Sequence, residues 1–548
     1  MEERRIFCAI VGAGMTGVAL ADRILATHTL RRDEFVIFDK NTDFGGVWET
    51  NIYPGVACDI PSHAYVMKTY LNPNWSKKYS EGREIQQYYA NWADNRRLRE
   101  NTVFNVLVHE ARWNEDSLLW EILLEDRASG VKTKWVANVL FDNGGGFYRA
   151  KYANIPGRET FRGEQWHTAH WPADADVRGK RVAVIGTGPS AAQTAPRIQP
   201  FVKELHMYQR SCGHVLPRNN HEIPAWKRFL FRWCYPLLWL YHITWFIFFD
   251  RTRRMWISGT EENKACHQAC IDFLEREVKD PVLREKLRPT TEFGCKRVLF
   301  LDDWYSMYNE RNVELVTEKP LRITEHGIVS KLPHALSDEE RAAQPVGSYQ
   351  QKTSEPDVDE VERKVDVLIW ATGFDMNDSG GHFQIYGEKG INLSQTWKDY
   401  PETYWSVAVT KFPNLFLTLG PNSVNYWSNI TTVCEMQINY HCKILKHIKK
   451  ELETSQYALY PDTAVQRKFN DWLRDNRTAP GTPSFLASHC ATYHKTPSGA
   501  TPMYNHLRLW DTYWKLRSVQ WRDFVEVRKP KLDLDNCPVY KDTCNIPA

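Results

Sequence analysis

Apolar residues along this chain gather into short runs bounded by glycine and polar turns, with longer amphipathic stretches between the runs. Arg5 to Val11, Phe35 to Phe38, Arg181 to Ile185, Glu204 to Tyr208, Val298 to Leu301, Asn312 to Val316, Val365 to Trp370 and Lys411 to Leu417 read as buried strands. Helical patterning marks Ser80 to Asn91, the stretch from Pro189, Val433 to Lys450 and Val465 to Arg474. Strands alternating with helices predict an α/β protein with parallel sheets. Leu118 to Leu124 and Val136 to Phe141 alternate differently and read as strands of a smaller accessory sheet.

Several segments depart from this rhythm. Asn143-Gly-Gly-Gly146 and Tyr152-Ala-Asn-Ile-Pro-Gly157 are turn chemistry, read as the crossing between a first and a second domain. Leu332 to Lys364 is polar, carries three prolines and reads as a long mobile surface loop between two strands. The stretch from Ser488 through Trp521 is rich in Tyr, Trp and His and is expected to close over a cavity. Residues 224–251 are strongly aromatic, and Trp233 to Phe249 holds 17 residues without a charge, interrupted by Pro236, His242 and Thr244. That length approaches a bilayer span, and basic residues stand on both sides. Buried helices are the favoured reading; membrane contact through 226–258 and a true span are the alternatives.

With 548 residues the chain is long enough for two or three domains with a substantial core. A net charge of +3 gives no reason to propose nucleic acid. The 12 cysteines are scattered without a CxxC pair or a regular framework, so free thiols in a reducing compartment are expected. Cys266 and Cys270 stand four apart but no second ligand pair follows, so no metal site is assigned. Met1 to Arg5 leads straight into a strand without a signal region, and Cys544 stands one position off a prenylation box. A cytoplasmic protein is expected, with peripheral membrane association as the alternative.

Two motifs carry chemistry. Gly12-Ala-Gly14-Met-Thr-Gly17 follows the first strand, and Asp39 ends the next strand 22 residues later. Glycines there allow a tight turn, the amides opening the helix bind a pyrophosphate, and the acid accepts from a ribose diol. Such a site fits FAD or NAD. A second copy, Gly186-Thr187-Gly188-Pro189-Ser190-Ala191, follows the strand Arg181 to Ile185. Its next strand ends in Gln209-Arg210-Ser211, where an NAD site usually places an acid. A guanidinium at that point pairs with a 2'-phosphate, which favours NADPH over NADH; a solvated arginine is the alternative. One chain with two dinucleotide sites suggests one nucleotide held permanently and another delivering electrons to it.

Two longer strings narrow this further. The first is Phe161-x-Gly163-x-x-x-His167-x-x-x-Trp171-Pro172, just before the second copy; the other is Gly45-Gly46-Val47-Trp48 followed by Tyr53-Pro54-Gly55-Val56-Ala57-Cys58-Asp59. Locally, Asp59 needs a cationic or hydrogen-bonded partner, or it caps the Pro61-Ser62 turn. At these spacings the chain resembles the Baeyer-Villiger monooxygenases, within the class B flavin monooxygenases, from about residue 5 to residue 525, and most closely the fungal biosynthetic members.

That resemblance implies two Rossmann-like domains, one for FAD (1–150 and 376–548) and one for NADPH (151–215 and 291–375), with a helical insertion (216–290) lining the substrate side. It places Gly46, Val47, Trp48, Ala57, Cys58, Asp59 and Tyr65 about the flavin, and Thr187, Gly188, Pro189, Ser190, Gln193, Ser211 and Lys296 about the NADPH. Arg297, in Gly294-Cys-Lys296-Arg297, is implied as the catalytic cation, with Asp59 holding it, while His167 and Trp171 are implied to position the two domains. The family's reaction passes through a C4a-peroxyflavin and inserts one oxygen atom of O2 beside a ketone carbonyl, giving an ester or lactone. Aromatic wealth near residues 224–258 suggests a bulky apolar natural product. Hydroxylation or N- or S-oxidation by a related flavin oxygenase is the alternative within the class. A non-oxygenating NADPH-binding flavoprotein is the alternative outside it.

Overall fold

The computed structural model describes residues 3–331, 360–375, 382–425, 429–475, 481–487, 495, 501, 504–505 and 507–531. Its first strand, Glu3–Val11, lies inside an eight-stranded sheet, parallel to Phe35–Phe38 on one side and Lys132–Asp142 on the other. Cys8, Ala9 and Ile10 are fully buried there, which is why the run is apolar on both faces. Met15–Ala26 and the long helix Ile430–Glu451 pack together beside this sheet.

The accessory sheet expected from Leu118 to Leu124 and Val136 to Phe141 is not separate. Lys132–Asp142 is 11 residues long. Lys132 to Ala137 pair antiparallel with Leu119–Asp126, while Lys134 to Asp142 pair with the first strand, so one strand belongs to both motifs. Beyond the hairpin, Leu415–Leu417 takes over as its partner at Leu140 to Asp142.

A second sheet has five parallel strands in the order Val313–Val316, Glu204–Tyr208, Arg181–Ile185, Val367–Trp370, Glu164–His167. His167, which the resemblance implies to position the two domains, lies in this sheet. It ends the edge strand, paired with Trp370, and its Nδ1 accepts from the Ala169 N–H at 3.0 Å. Burial brings its pKa down to about 4, so the imidazole is neutral near pH 7.

Four helices, Ala225–Trp233, Tyr235–Arg251, Glu261–Glu277 and Pro281–Leu287, follow the second sheet's first strands. The first two are not buried as expected: Trp226, Phe229, Trp233, Tyr235, Trp239, Leu240 and Phe248 are exposed, and only Phe231 and Leu238 are buried. An apolar run long enough to make two helices has more faces than one neighbouring surface can cover. No helix among the described residues is long and apolar enough to cross a membrane. The expectation of free thiols holds for eight described cysteines and fails at Cys295, which is disulfide-bonded, a pairing that spacing along a chain does not reveal. Residues 332–359 of the expected loop, much of the 488–521 stretch and Cys544 lie outside the described residues.

Candidate active site

The two glycine loops are built alike. Gly12 donates its N–H to the Phe38 carbonyl at 2.8 Å and Gly186 donates to that of Tyr208 at 3.1 Å. Both stand at positive φ, +111° and +115°, where a side chain is strained. A Cβ on Gly12 would come within 2.5 Å of the Asn143 carbonyl oxygen, and one on Gly186 within 2.4 Å of that of Ala371. Each loop thus presses on the backbone that leaves a neighbouring strand. Helices Met15–Ala26 and Pro189–Ile198 begin there, leaving first-turn amides without intrahelical partners, an arrangement that binds phosphate.

Their third positions differ. A Cβ on Gly17 would lie 1.9 Å from the Gly12 carbonyl oxygen, whereas Ala191 is accommodated and buried. Gly188 has open space, and a Cβ there would meet nothing within 4 Å. Thr187 is half-buried, Pro189 opens the helix, and Ser190 lies beside the Tyr53 hydroxyl.

Asp39 is buried, and its carboxylate accepts from the Ala13 N–H at 2.5 Å and the Asn41 N–H at 2.8 Å. Burial outweighs those donors and raises its pKa. Each oxygen still has acceptor capacity, which suits a diol. At the equivalent strand end Gln209 is buried, Arg210 exposed and Ser211 half-buried. The Lys296 ammonium donates to the Cys212 carbonyl at 3.3 Å. Its pKa falls to about 8, chiefly through burial, with Arg210 adding to the fall and Cys212 opposing it. Lys296 and Arg210 therefore share one neighbourhood.

The stretch after the second strand packs on the first loop. A Cβ on Gly46 would meet the Gly14 Cα at 3.0 Å, so the two backbones touch. Val47 opens the short helix Val47–Thr50, and the Trp48 indole N–H donates to the Tyr65 hydroxyl at 3.2 Å. Burial raises both the Tyr65 phenol and the Cys58 thiol. Asp59 then accepts from Arg297 through one oxygen, at 2.5 Å from Nη2 and 3.2 Å from Nε. The pair is partly open, with the arginine side chain 33% exposed. Gln193 is buried between the two folds: it accepts from the Tyr53 hydroxyl at 3.0 Å and donates to the Ala57 carbonyl at 2.9 Å. Trp171 packs edge-to-face on Trp166.

Two residues were missed from the sequence. Asn143 was read only as turn, yet its backbone carbonyl faces Gly12 and its side-chain amide is buried with no partner for either polar atom among the described residues. Arg218 lies over the Tyr79 ring, 5.8 Å away, with Nε and Nη1 buried and likewise unpartnered among the described residues. Buried polar atoms without partners point to a ligand; neither residue falls in a motif.

This geometry can be set beside known proteins. A family model described as "NAD(P)-binding Rossmann-like domain" matches residues 10–81. The chain is 34% identical over 526 residues to FAD-binding monooxygenase BOA2 of Botryotinia fuckeliana, covering 94% of this chain and 92% of the relative. It is 32% identical over 481 residues to a Baeyer-Villiger monooxygenase of Pseudomonas aeruginosa, covering 85% and 81%. The chain belongs to the Baeyer-Villiger monooxygenase family. The fold of this family member also matches the crystal structure of cyclohexanone monooxygenase from Rhodococcus sp. Phi1 bound to NADP+, with a TM-score of 0.79 at 23% identity, covering 96% and 100%. An oxidized steroid monooxygenase bound to NADP superposes with a TM-score of 0.77 at 23% identity, covering 95% and 99%.

Proposed function

We propose that this Baeyer-Villiger family member is an FAD- and NADPH-dependent monooxygenase that inserts one oxygen atom of O2 beside a ketone carbonyl, giving an ester or lactone. The observation that carries the proposal is the Arg297–Asp59 ion pair, which joins the stretch packed on the first glycine loop to the residue after Lys296. Asp59 extends the stretch packed on the first loop, and Arg297 adjoins Lys296 of the second. Residues 1–150 with 376–548 would form the FAD domain, 151–215 with 291–375 the NADPH domain, and 216–290 the helical insertion.

The residues present fit FAD at the first site. Gly12, Gly14 and Gly46 bring bare backbone together, Asp39 offers acceptors, and the Asn143 amide, buried without a partner among the described residues, offers both a donor and an acceptor. Val47, Trp48, Ala57, Cys58 and Tyr65 would wall the flavin ring. At the second site the amides of Pro189–Ile198, Thr187, Gly188 and Ser190 would hold the pyrophosphate. Arg210, Ser211 and Lys296 would hold the 2'-phosphate, and a cation there selects NADPH. When bound, FAD supplies the redox centre that accepts a hydride from NADPH and activates O2.

The protein's own part is electrostatic. Arg297 keeps its charge throughout the accessible pH range, so it stabilises negative oxygen developing beside it. Asp59 fixes the guanidinium's direction and acts as a positioning residue through it.

Arg297→Ala is expected to lower ester formation on the order of 10²–10³-fold, the usual loss for one oxyanion-stabilising donor. NADPH oxidation should continue, with the oxygen released as hydrogen peroxide. Asp59→Ala should lose less and leave NADP+ affinity unchanged. Product mass spectrometry with labelled O2 against ketone and thioether panels reads these outcomes. Undiminished ester formation in both variants removes the assignment. Oxygenated thioethers without esters would redirect it to S-oxidation, and peroxide alone with every substrate to a non-oxygenating flavoprotein.

A further inference from the structure

We propose that helices Ala225–Trp233 and Tyr235–Arg251, together with Leu509–Leu516, dock this protein onto a negatively charged lipid surface. Apolar residues on these helices face water: Trp226 is 67% exposed, Trp233 74%, Phe229 64%, Leu240 54% and Trp514 59%. Contiguous exposed apolar patches mark interaction sites. The C-terminal helix belongs to the same face, because Phe246 meets Trp510 edge-to-face at 6.3 Å.

Charge decides the occupant. Residues 224–258 carry six basic side chains, Lys227, Arg228, Arg232, Arg251, Arg253 and Arg254, against a single acid, Asp250. Arg254 is paired with Glu262 and Arg232 reaches Asn74, but Arg251 is exposed at the helix end. Arg253 lies near the further cation Arg508, with the carboxylates of Asp250 and Asp511 also close, so the face as a whole stays basic. Trp and Tyr beside Lys and Arg form the pattern that seats in a headgroup layer, rings inserted and cations on the phosphates. A second copy fits worse, since a two-fold interface would set this basic rim against itself. No described helix spans a membrane, so the contact lies in the interface plane. Docking of this kind does not depend on the oxygenase reading.

Co-sedimentation of the full-length holoenzyme with vesicles tests it. The protein should pellet with phosphatidylcholine vesicles containing one part in about three of phosphatidylserine, and at least about fivefold less with phosphatidylcholine alone, given the usual gain per basic residue at an anionic surface. High salt should release it. The double variant Trp226→Glu/Trp233→Glu should lose binding while keeping wild-type flavin content and thermal unfolding. Arg251→Glu should weaken binding about fivefold or more. No pelleting with anionic vesicles at low salt, or pelleting that both variants leave unchanged, overturns the proposal. So does a concentration-dependent dimer that the double variant dissolves, in a protein that ignores vesicles.

Discussion

Lys296 and Arg297 are adjacent, yet physics separates their tasks. Arg297 is charged at any working pH, whereas burial brings Lys296 to about 8, where it titrates. A bound phosphate would favour the charged lysine and raise its pKa again. Below about pH 8 the lysine carries its proton with or without NADPH, so affinity is full. Above it, the free protein holds a neutral amine and must take up a proton on binding, so affinity falls as pH rises. NADP+ titrations of the holoenzyme should therefore show Kd flat up to about pH 8 and rising by up to tenfold per unit beyond. Lys296→Met should abolish that slope and raise Kd at neutral pH by about ten- to a hundredfold, the worth of about 1.5–3 kcal/mol for a charged hydrogen bond. A Kd without pH dependence would mean that Lys296 does not face the phosphate. The sequence marks this lysine only through a family motif. It is silent on Asn143, where folding leaves a buried amide without a partner among the described residues.

At the scale of elements, strand cores and glycine loops are legible because they are local. Glu204–Tyr208 coincides with its predicted span, and the first strand and the long C-terminal helix match within two or three residues. What sequence misses is sharing, as where Lys132–Asp142 serves both a hairpin and the central parallel pair. The second and third positions of these motifs also carry different steric loads, which the spelling alone does not measure. Gly17→Ala forces its Cβ to within 1.9 Å of a backbone carbonyl oxygen, so Met15–Ala26 must shift. Overpacking of this kind costs about 1–3 kcal/mol, and the variant should unfold earlier and lose FAD. Gly188→Ala meets no atom within 4 Å and stands at an ordinary φ of −73°. It should unfold like the wild type but bind NADP+ more weakly, because its methyl enters the space over the helix start that a pyrophosphate would occupy. Thermal unfolding and flavin absorbance separate the two cases; equal behaviour of both variants would show that the loops carry no nucleotide-specific geometry.

For the whole molecule, one short stretch after the second strand meets both the second glycine-loop fold and the start of the helical insertion. Gly55 presses on the Gln193 carbonyl, Asp59 holds Arg297, and Lys78 and Tyr79 bond to His221 and Asn220. None of these partners is near in sequence, and each contact is a tertiary event, which is why the composition and periodicity of residues 53–79 do not announce an interface. Gln193 illustrates the consequence: the family motif assigns it to phosphate, while its side chain spans from the Tyr53 hydroxyl to the Ala57 carbonyl. Through both amide atoms the side chain ties helix Pro189–Ile198 to the stretch at Tyr53 and Ala57. Gln193→Met keeps the volume and removes both bonds; the Tyr53 hydroxyl keeps Ser190 beside it, while the Ala57 carbonyl loses its side-chain donor at a cost of about 1–3 kcal/mol. FAD content should be retained. The rate at which NADPH bleaches the flavin, followed by stopped-flow absorbance at saturating NADPH, should fall about tenfold or more, since roughly 1 Å of misplacement costs on the order of 10²-fold. Lost stability with an unchanged reduction rate would make Gln193 a packing residue only. A slower rate with unchanged NADP+ affinity would instead show that the junction sets how the two cofactors meet.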